Sequence, residues 1–221
     1  KGFVDLVIER NDLRYQLSTI ISILKPKFSY KSKKIKISSK KKFIHNDPIV
    51  SLKISRNLKR PKSSDYINDI FSDFIELHGD RIENDDASVK IGIGKISNEP
   101  FLLIAQERKI LSKTNNNVKR NYNNKILPSG FRKASRALNL AEKFKLPCLC
   151  LVDSVYPELS IKSEYSGLAY SISELISKKL SLETPILSVI IGEGGSETAL
   201  AFSIADTIMM QKNSIFTPLS P

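Results

Sequence analysis

An α/β layer built around a mostly parallel sheet is the architecture this sequence predicts, and three observations point to it. Near-continuous apolar runs, "PCLCLVD" and "PILSVIIGEGG", read as strands buried on both faces. Between such runs stand segments whose apolar residues recur at helical spacing. With 221 residues, 41% of them hydrophobic, the chain is also long enough to bury a core of ordinary domain size.

The elements can be justified in order. "GFVDLVI" has strand-like content, and "NDLRYQLSTIISIL" reads as a helix. Asn11 or Asp12 is placed to cap that helix, and Leu13, Leu17, Ile20, Ile21 and Leu24 form its apolar face. Residues 25–46 are a lysine-rich linker with Pro26 near its start, and residues 47–221 form the main body. In the body, "SSDYINDIFSDFIELHGDR" reads as one helix started by Ser63 or Ser64. Ile67, Ile70, Phe71, Phe74 and Ile75 would be its buried side, and Gly79 a left-handed C-cap.

"SVKIGIGKI" and "PFLLIAQE" are then paired strands around the turn "SNE". After a polar stretch rich in Asn and Lys (109–125), "SGFRKASRALNLAEKFK" reads as a helix. It would turn Phe131, Ala134, Leu138, Ala141 and Phe144 inward. The strand "PCLCLVD" follows, and then a helix over about 163–180 that buries Tyr165, Leu168, Ala169, Ile172, Leu175 and Ile176. "PILSVIIGEGG" is a buried strand running into a glycine turn, "SETALAFSIA" a short helix, and "TIMMQKN" a further strand.

Composition narrows the function classes. No apolar run approaches the ~20 residues needed to span a bilayer, which argues against a membrane role. No targeting signal is readable in "KGFVDLVIER", and the abrupt "TPLSP" suggests a piece of a longer polypeptide. The net charge of +12 invites nucleic acid or another anionic surface as partner. Nine lysines and no acid lie in residues 25–42, however, so the rest of the chain carries only +3. That pattern favours a solvated linker. Cys148 and Cys150 share one strand face, too close in sequence for a disulfide, and read as buried small hydrophobes in a reducing compartment. Two histidines make no metal site, and Glu76, His78 and Asp80 read as polar residues facing solvent.

In parallel sheets, ligands gather at the loops after the carboxyl ends of strands. Two loops qualify here, Asp153–Ile161 and Gly192–Ser196. Gly194 and Gly195, between strand and helix, can aim backbone N–H groups at a developing negative charge, or simply permit a tight turn. Ser196 has an N-cap role, and Asp153 is either an acid–base group or a turn residue. No phosphate loop with the Gly-x-x-x-x-Gly-Lys-Ser/Thr pattern is present, and no Gly-x-Ser-x-Gly elbow.

Three strings occur in order: "RPKSSDYINDIFSDFIELHGDR", "PSGFRKASRALNLAEKFKLP" and "IIGEGGS" followed two residues later by "ALA". Together they resemble the α subunit of the bacterial and plastid-type acetyl-CoA carboxylase carboxyltransferase, over about residues 49–221. "KGFVDLVIERNDLRYQLSTIISIL" resembles the C-terminal tail of the β subunit, so the chain looks like part of a β–α fusion. Three domains are therefore expected: a β-like tail (1–24), the linker (25–46) and a C-terminally truncated α-like domain (47–221).

The resemblance implies a crotonase-like fold of repeated ββα units and transfer of a carboxyl group from carboxybiotin to acetyl-CoA. The product would be malonyl-CoA for fatty-acid synthesis. Gly194 and Gly195 match the turn whose amides stabilise the biotin oxyanion, and Asp153, Tyr156 and Ser196 would lie on the carboxybiotin side. Implied partners are a carboxyltransferase β-like core, biotin carboxyl carrier protein and biotin carboxylase, in a multimeric holoenzyme that binds ATP elsewhere. The segment itself would bind no cofactor; zinc belongs to an upstream β part. The implied compartment is bacterial cytoplasm or plastid stroma.

The sequence departs from the family pattern in several loops. Glu197 and Thr198 replace a glycine pair, "DSVYPELS" keeps Asp153, Tyr156 and Pro157 but loses two glycines, and "AQERK" and "RNYNNKILP" replace two further glycine-bearing stretches. Two expectations follow: an enzyme with a remodelled pocket, or a structural or regulatory subunit that keeps the fold without turnover.

Overall fold

The computed structural model describes residues 3–24, 47–57, 59–108, 125–154 and 156–217. The lysine tract lies outside the described residues, as does most of the polar stretch after residue 108. One mixed sheet organises the molecule, in the order β1 (Ser72–Leu77), β2 (Val89–Ile96), β3 (Glu99–Gln106), β4 (Cys148–Ser154), β5 (Ile186–Gly195) and β6 (Thr207–Met210), with β7 (Ile215–Thr217) also pairing with β5.

The antiparallel half is β1 (Ser72–Leu77), β2 (Val89–Ile96) and β3 (Glu99–Gln106). The expected hairpin is present: Ser97 and Asn98 both take positive φ, as a two-residue turn with the right twist requires. The parallel half is β3, β4 (Cys148–Ser154), β5 (Ile186–Gly195) and β6 (Thr207–Met210), with β7 (Ile215–Thr217) parallel to the end of β5.

Helices cover both faces. One face carries α4 (Pro128–Phe144), α6 (Leu168–Ser181) and α7 (Ser196–Ser203) over a core that includes Ile91, Ile104, Cys150, Phe131, Leu175 and Phe202. Phe131 and Phe202 meet with ring centroids 5.6 Å apart. The other face holds a smaller cluster under α3 (Ser63–Ile70), joining Ile67 to Leu103, Leu149, Leu151 and Ile191.

Several local expectations need correcting. The predicted helix through residue 79 stops at Ile70, and Ser72–Leu77 is a strand. Its residues satisfy both periods, and pairing decides: Ile75 and Leu77 face the core opposite Ile93 and Ile91. Gly92 makes this possible, since a Cβ there would run into the Phe74 ring and the Ile75 carbonyl. Gly79 does take positive φ, but after a strand. The single helix over 163–180 is two, α5 (Ile161–Tyr165) and α6, broken at Gly167 with φ 76°. That break leaves Tyr165 90% exposed and Ala169 exposed rather than buried. Phe144, at the end of α4, is 39% exposed.

The N-terminal segment contains α1 (Leu13–Leu24) but no strand among the described residues. Only one residue of α1 is fully buried, and it is Ile23 rather than a member of the expected stripe. Leu13, Leu17 and Ile21 are exposed, while Ile20 and Leu24 pack partly against the core. Asp5 anchors the segment by pairing with Arg81 and Arg136 and by accepting the His78 N–H on its carbonyl at 3.0 Å.

Candidate functional site

The carboxyl ends of β3, β4 and β5 converge where the two candidate loops were expected, and a ring of charge ties them together. Asp153, at the end of β4, is buried and ion-paired with Arg108, two residues beyond β3. Arg108 Nη1 donates to the Ser55 carbonyl at 2.8 Å, the last residue of α2 (Pro48–Ser55). The next residue, Arg56, grips the buried Glu193 carboxylate with two hydrogen bonds of 2.9 and 2.7 Å. Glu193 closes the ring by donating its backbone N–H to Asp153 Oδ1 at 3.0 Å. Burial pushes the Asp153 carboxyl upward, opposed by Arg108 and by the Glu193 N–H.

Gly192 is required by this packing. A Cβ there would collide with the Asp153 carboxylate and reach within 2.8 Å of Arg108 Nη2. Beside it, β5 exchanges one outer neighbour for another: β6 pairs with Leu187–Ile190 and β7 with Glu193–Gly195. The Ile191 carbonyl falls in the gap, where Arg60 Nε donates to it at 2.7 Å. The same guanidinium reaches Gln211 Oε1 and Ser214 Oγ in the β6–β7 connection, at 3.0 and 2.8 Å. Arg56 and Arg60 thus hold β5 on either side of Gly192.

The expected glycine turn lies later than the sequence suggests. Gly194 is inside β5, in register with Ser154 on one side and Phe216 on the other. Direction changes at Gly195–Ser196, with Ser196 at φ 60°. Ser196 is therefore the first residue of α7 rather than its N-cap; Gly195 holds that position and offers no side-chain cap. The N-cap thus supplies the amides of the first turn with no side-chain acceptor, as an anion site at a helix start needs. Glu197, in that turn, is exposed.

Asp153 joins Gly194 and Gly195 in one assembly, as a ring member rather than a turn residue. Tyr156 is half-buried, with Lys125 Nζ 5.6 Å from its ring centre. Sequence reasoning missed Arg56, Arg60, Arg108 and Glu193. The available signal was "RNLKR", two arginines four residues apart, and an acid enclosed by glycines in "GEGG".

Four buried polar atoms at this end of the sheet lack a hydrogen-bond partner among the described residues: Gln106 Nε2, Arg108 Nε, Ser154 Oγ and Thr198 Oγ1. Gln106 is fixed at its other end, where Oε1 accepts the Asp153 N–H at 2.8 Å. Unsatisfied buried donors are rare in folded proteins and costly. Asp80 also departs from expectation: it is buried rather than at the surface. Its Oδ1 accepts the N–H groups of Ile82, Glu83 and Asn84, and its Oδ2 accepts two bonds from Arg132. His78 pairs with Asp85 at 3.0 Å, and Glu76 with Lys90 at 3.3 Å.

Comparison with known proteins gives this arrangement a family. Over its full length the chain is 38% identical to the acetyl-coenzyme A carboxylase carboxyl transferase subunits beta/alpha of Clostridium tetani, spanning 38% of that protein. Over 174 residues it is 40% identical to the alpha subunit of the corresponding enzyme from Clostridium acetobutylicum, covering 79% of this chain and 62% of that one. The chain thus spans less than two thirds of the length of these relatives.

Among solved structures, a transcarboxylase 12S superposes with a TM-score of 0.70 at 13% identity, over 97% of this chain and 40% of that one. The β subunit of P. aeruginosa geranyl-CoA carboxylase gives 0.60 at 18%, over 73% and 29%. The fold is the crotonase-like fold of carboxyltransferase domains, as the resemblance implied. Residues 11–221 match the family described as acetyl co-enzyme A carboxylase carboxyltransferase-like, and the chain belongs to that family.

Proposed function

We propose that this chain is the α-type portion of a carboxyltransferase that moves a carboxyl group from carboxybiotin, carried on a partner protein, to acetyl-CoA. The product is malonyl-CoA for fatty-acid synthesis. The observation that carries this reading is the helix start at Gly195–Ser196, which has no side-chain cap, in a chain of the carboxyltransferase family. Carboxybiotin supplies the carboxyl group and leaves with negative charge on its ureido oxygen. The amides at the Gly195–Ser196 junction hold such charge without a titratable acid, an effect of about 3 kcal/mol per donor in well-placed sites.

In this reading residues 1–24 are a β-like tail, residues 25–46 a linker, and the acetyl-CoA side belongs to a β-like core outside this segment. Carrier protein, biotin carboxylase and that core are the partners, in a soluble cytoplasmic or plastid multimer. The test is malonyl-CoA formation from carboxylated carrier by a complete β–α enzyme containing this chain. Turnover by the complete enzyme and none by the 221 residues alone is expected; no turnover by the complete enzyme refutes the proposal.

A second reading, a subunit that docks without turning over, is favoured by Glu197 in the first turn of α7, where its charge opposes an incoming anion. It predicts that Glu197→Gly with Thr198→Gly creates activity in an otherwise inactive complex.

A further inference from the structure

The ring that joins α2, β3, β4 and β5 does more than stabilise the fold. It contains two acids and two arginines, each acid bonded to one arginine, so buried charge is balanced pair by pair. Two links of the ring run through backbone: Arg108 holds the Ser55 carbonyl, and the Glu193 N–H is held by Asp153. A side chain on Gly192 would wedge the ring open. What the ring grips is the segment that leads directly into Gly195 and Ser196.

We propose that Arg108 and Asp153 are positioning residues for carboxyl transfer, holding the end of β5 at Glu193 so that the amides entering α7 stay at one height. Arg56 and Glu193 complete the restraint from the α2 side. Neither Arg108 nor Asp153 has to touch substrate; each acts through the Glu193 backbone. The proposal rests on the carboxyltransferase reading for its effect on rate, but not for its effect on the β5–α7 segment.

Two variants preserve shape while breaking the ring. Asp153→Asn keeps an oxygen for the Glu193 N–H but leaves Arg108 buried without its counter-charge. Arg108→Met removes both the ion pair and the bond to Ser55. Arg108→Lys keeps the charge and is the conservative rescue.

In the complete enzyme, kcat should fall by about 30-fold or more in the first two variants, with KM for acetyl-CoA within about threefold of wild type, and recover substantially in Arg108→Lys. In the same preparations, amide hydrogen exchange over residues 193–197 should speed up by about tenfold or more, while exchange in α4 and α6 stays unchanged. Unchanged exchange at 193–197, or uniformly faster exchange across the chain, would overturn the positioning role and leave the ring an ordinary structural feature. An inactive wild-type enzyme would remove the carboxyltransferase reading and leave exchange alone to decide the ring.

Discussion

Substituting Gly192 by alanine is the sharpest local probe of the site. The new methyl has no room: it meets the Asp153 carboxylate on one side and Arg108 Nη2, 2.8 Å away, on the other. Neither neighbour can swing aside freely, because Asp153 is held by Arg108 and the Glu193 N–H, and Arg108 by Ser55. Overpacking of a filled interior costs about 1–3 kcal/mol. Breaking a buried ion pair costs about 3–5 kcal/mol, and a methyl that only displaces it should incur part of that.

We therefore expect Gly192→Ala to lower unfolding free energy by about 3 kcal/mol, within the range these two effects define. Gly167→Ala is the control. Gly167 also needs its glycine, for φ 76°, but a Cβ there meets nothing closer than 4.0 Å. Its cost should be about 1 kcal/mol, from backbone conformation alone. Urea titration followed by far-UV circular dichroism measures both. Equal costs for the two variants, or a Gly192→Ala loss below about 0.5 kcal/mol, would refute the packing argument.

Other consequences can be checked the same way. Burial alone would raise the Asp80 carboxyl, but the N–H groups of Ile82, Asn84 and Glu83 and the Arg132 guanidinium hold it below its ordinary value. A depressed folded pKa contributes stability above the unfolded value of 3.8 that is lost as pH falls through the lower folded one. Asp80→Asn should accordingly flatten the acid-unfolding curve below about pH 4, besides destabilising the protein at neutral pH. Phe202→Ala should cost about 3–5 kcal/mol in the same urea assay, because Phe202 is fully buried against Phe131. Burial also pushes the Cys148 thiol well above its ordinary range, with Cys150 beside it adding to the effect. Neither thiol should react with a disulfide reagent until the protein unfolds.

The strands and most helices were legible because burial on both faces leaves long apolar runs, and α4 repeats its apolar residues at helical spacing over 17 residues. "SDFIEL" was misread because Ile67, Ile70, Phe71, Phe74 and Ile75 satisfy a helical period, and nothing local reveals that β2 waits with glycines opposite. The α5–α6 break hinged on Gly167, an isolated glycine in a helical pattern, which can be tolerated or can end the helix. At the site, glycines and Asp153 stood out because they follow strand ends. Arg108, Arg56 and Glu193 did not, because their significance is a ring closed by residues up to 137 positions apart.

The junction of β5 and α7 as the place where transferred charge is held has one direct test. A complete enzyme containing this chain is given malonyl-CoA and biocytin, and carboxyl transfer to biocytin is measured for wild type and Gly195→Val, with melting temperature as the check on folding. The account predicts turnover by wild type and a loss of about 100-fold or more in Gly195→Val at a melting temperature within a few degrees, as displaced oxyanion donors require. Turnover that survives the substitution would contradict it.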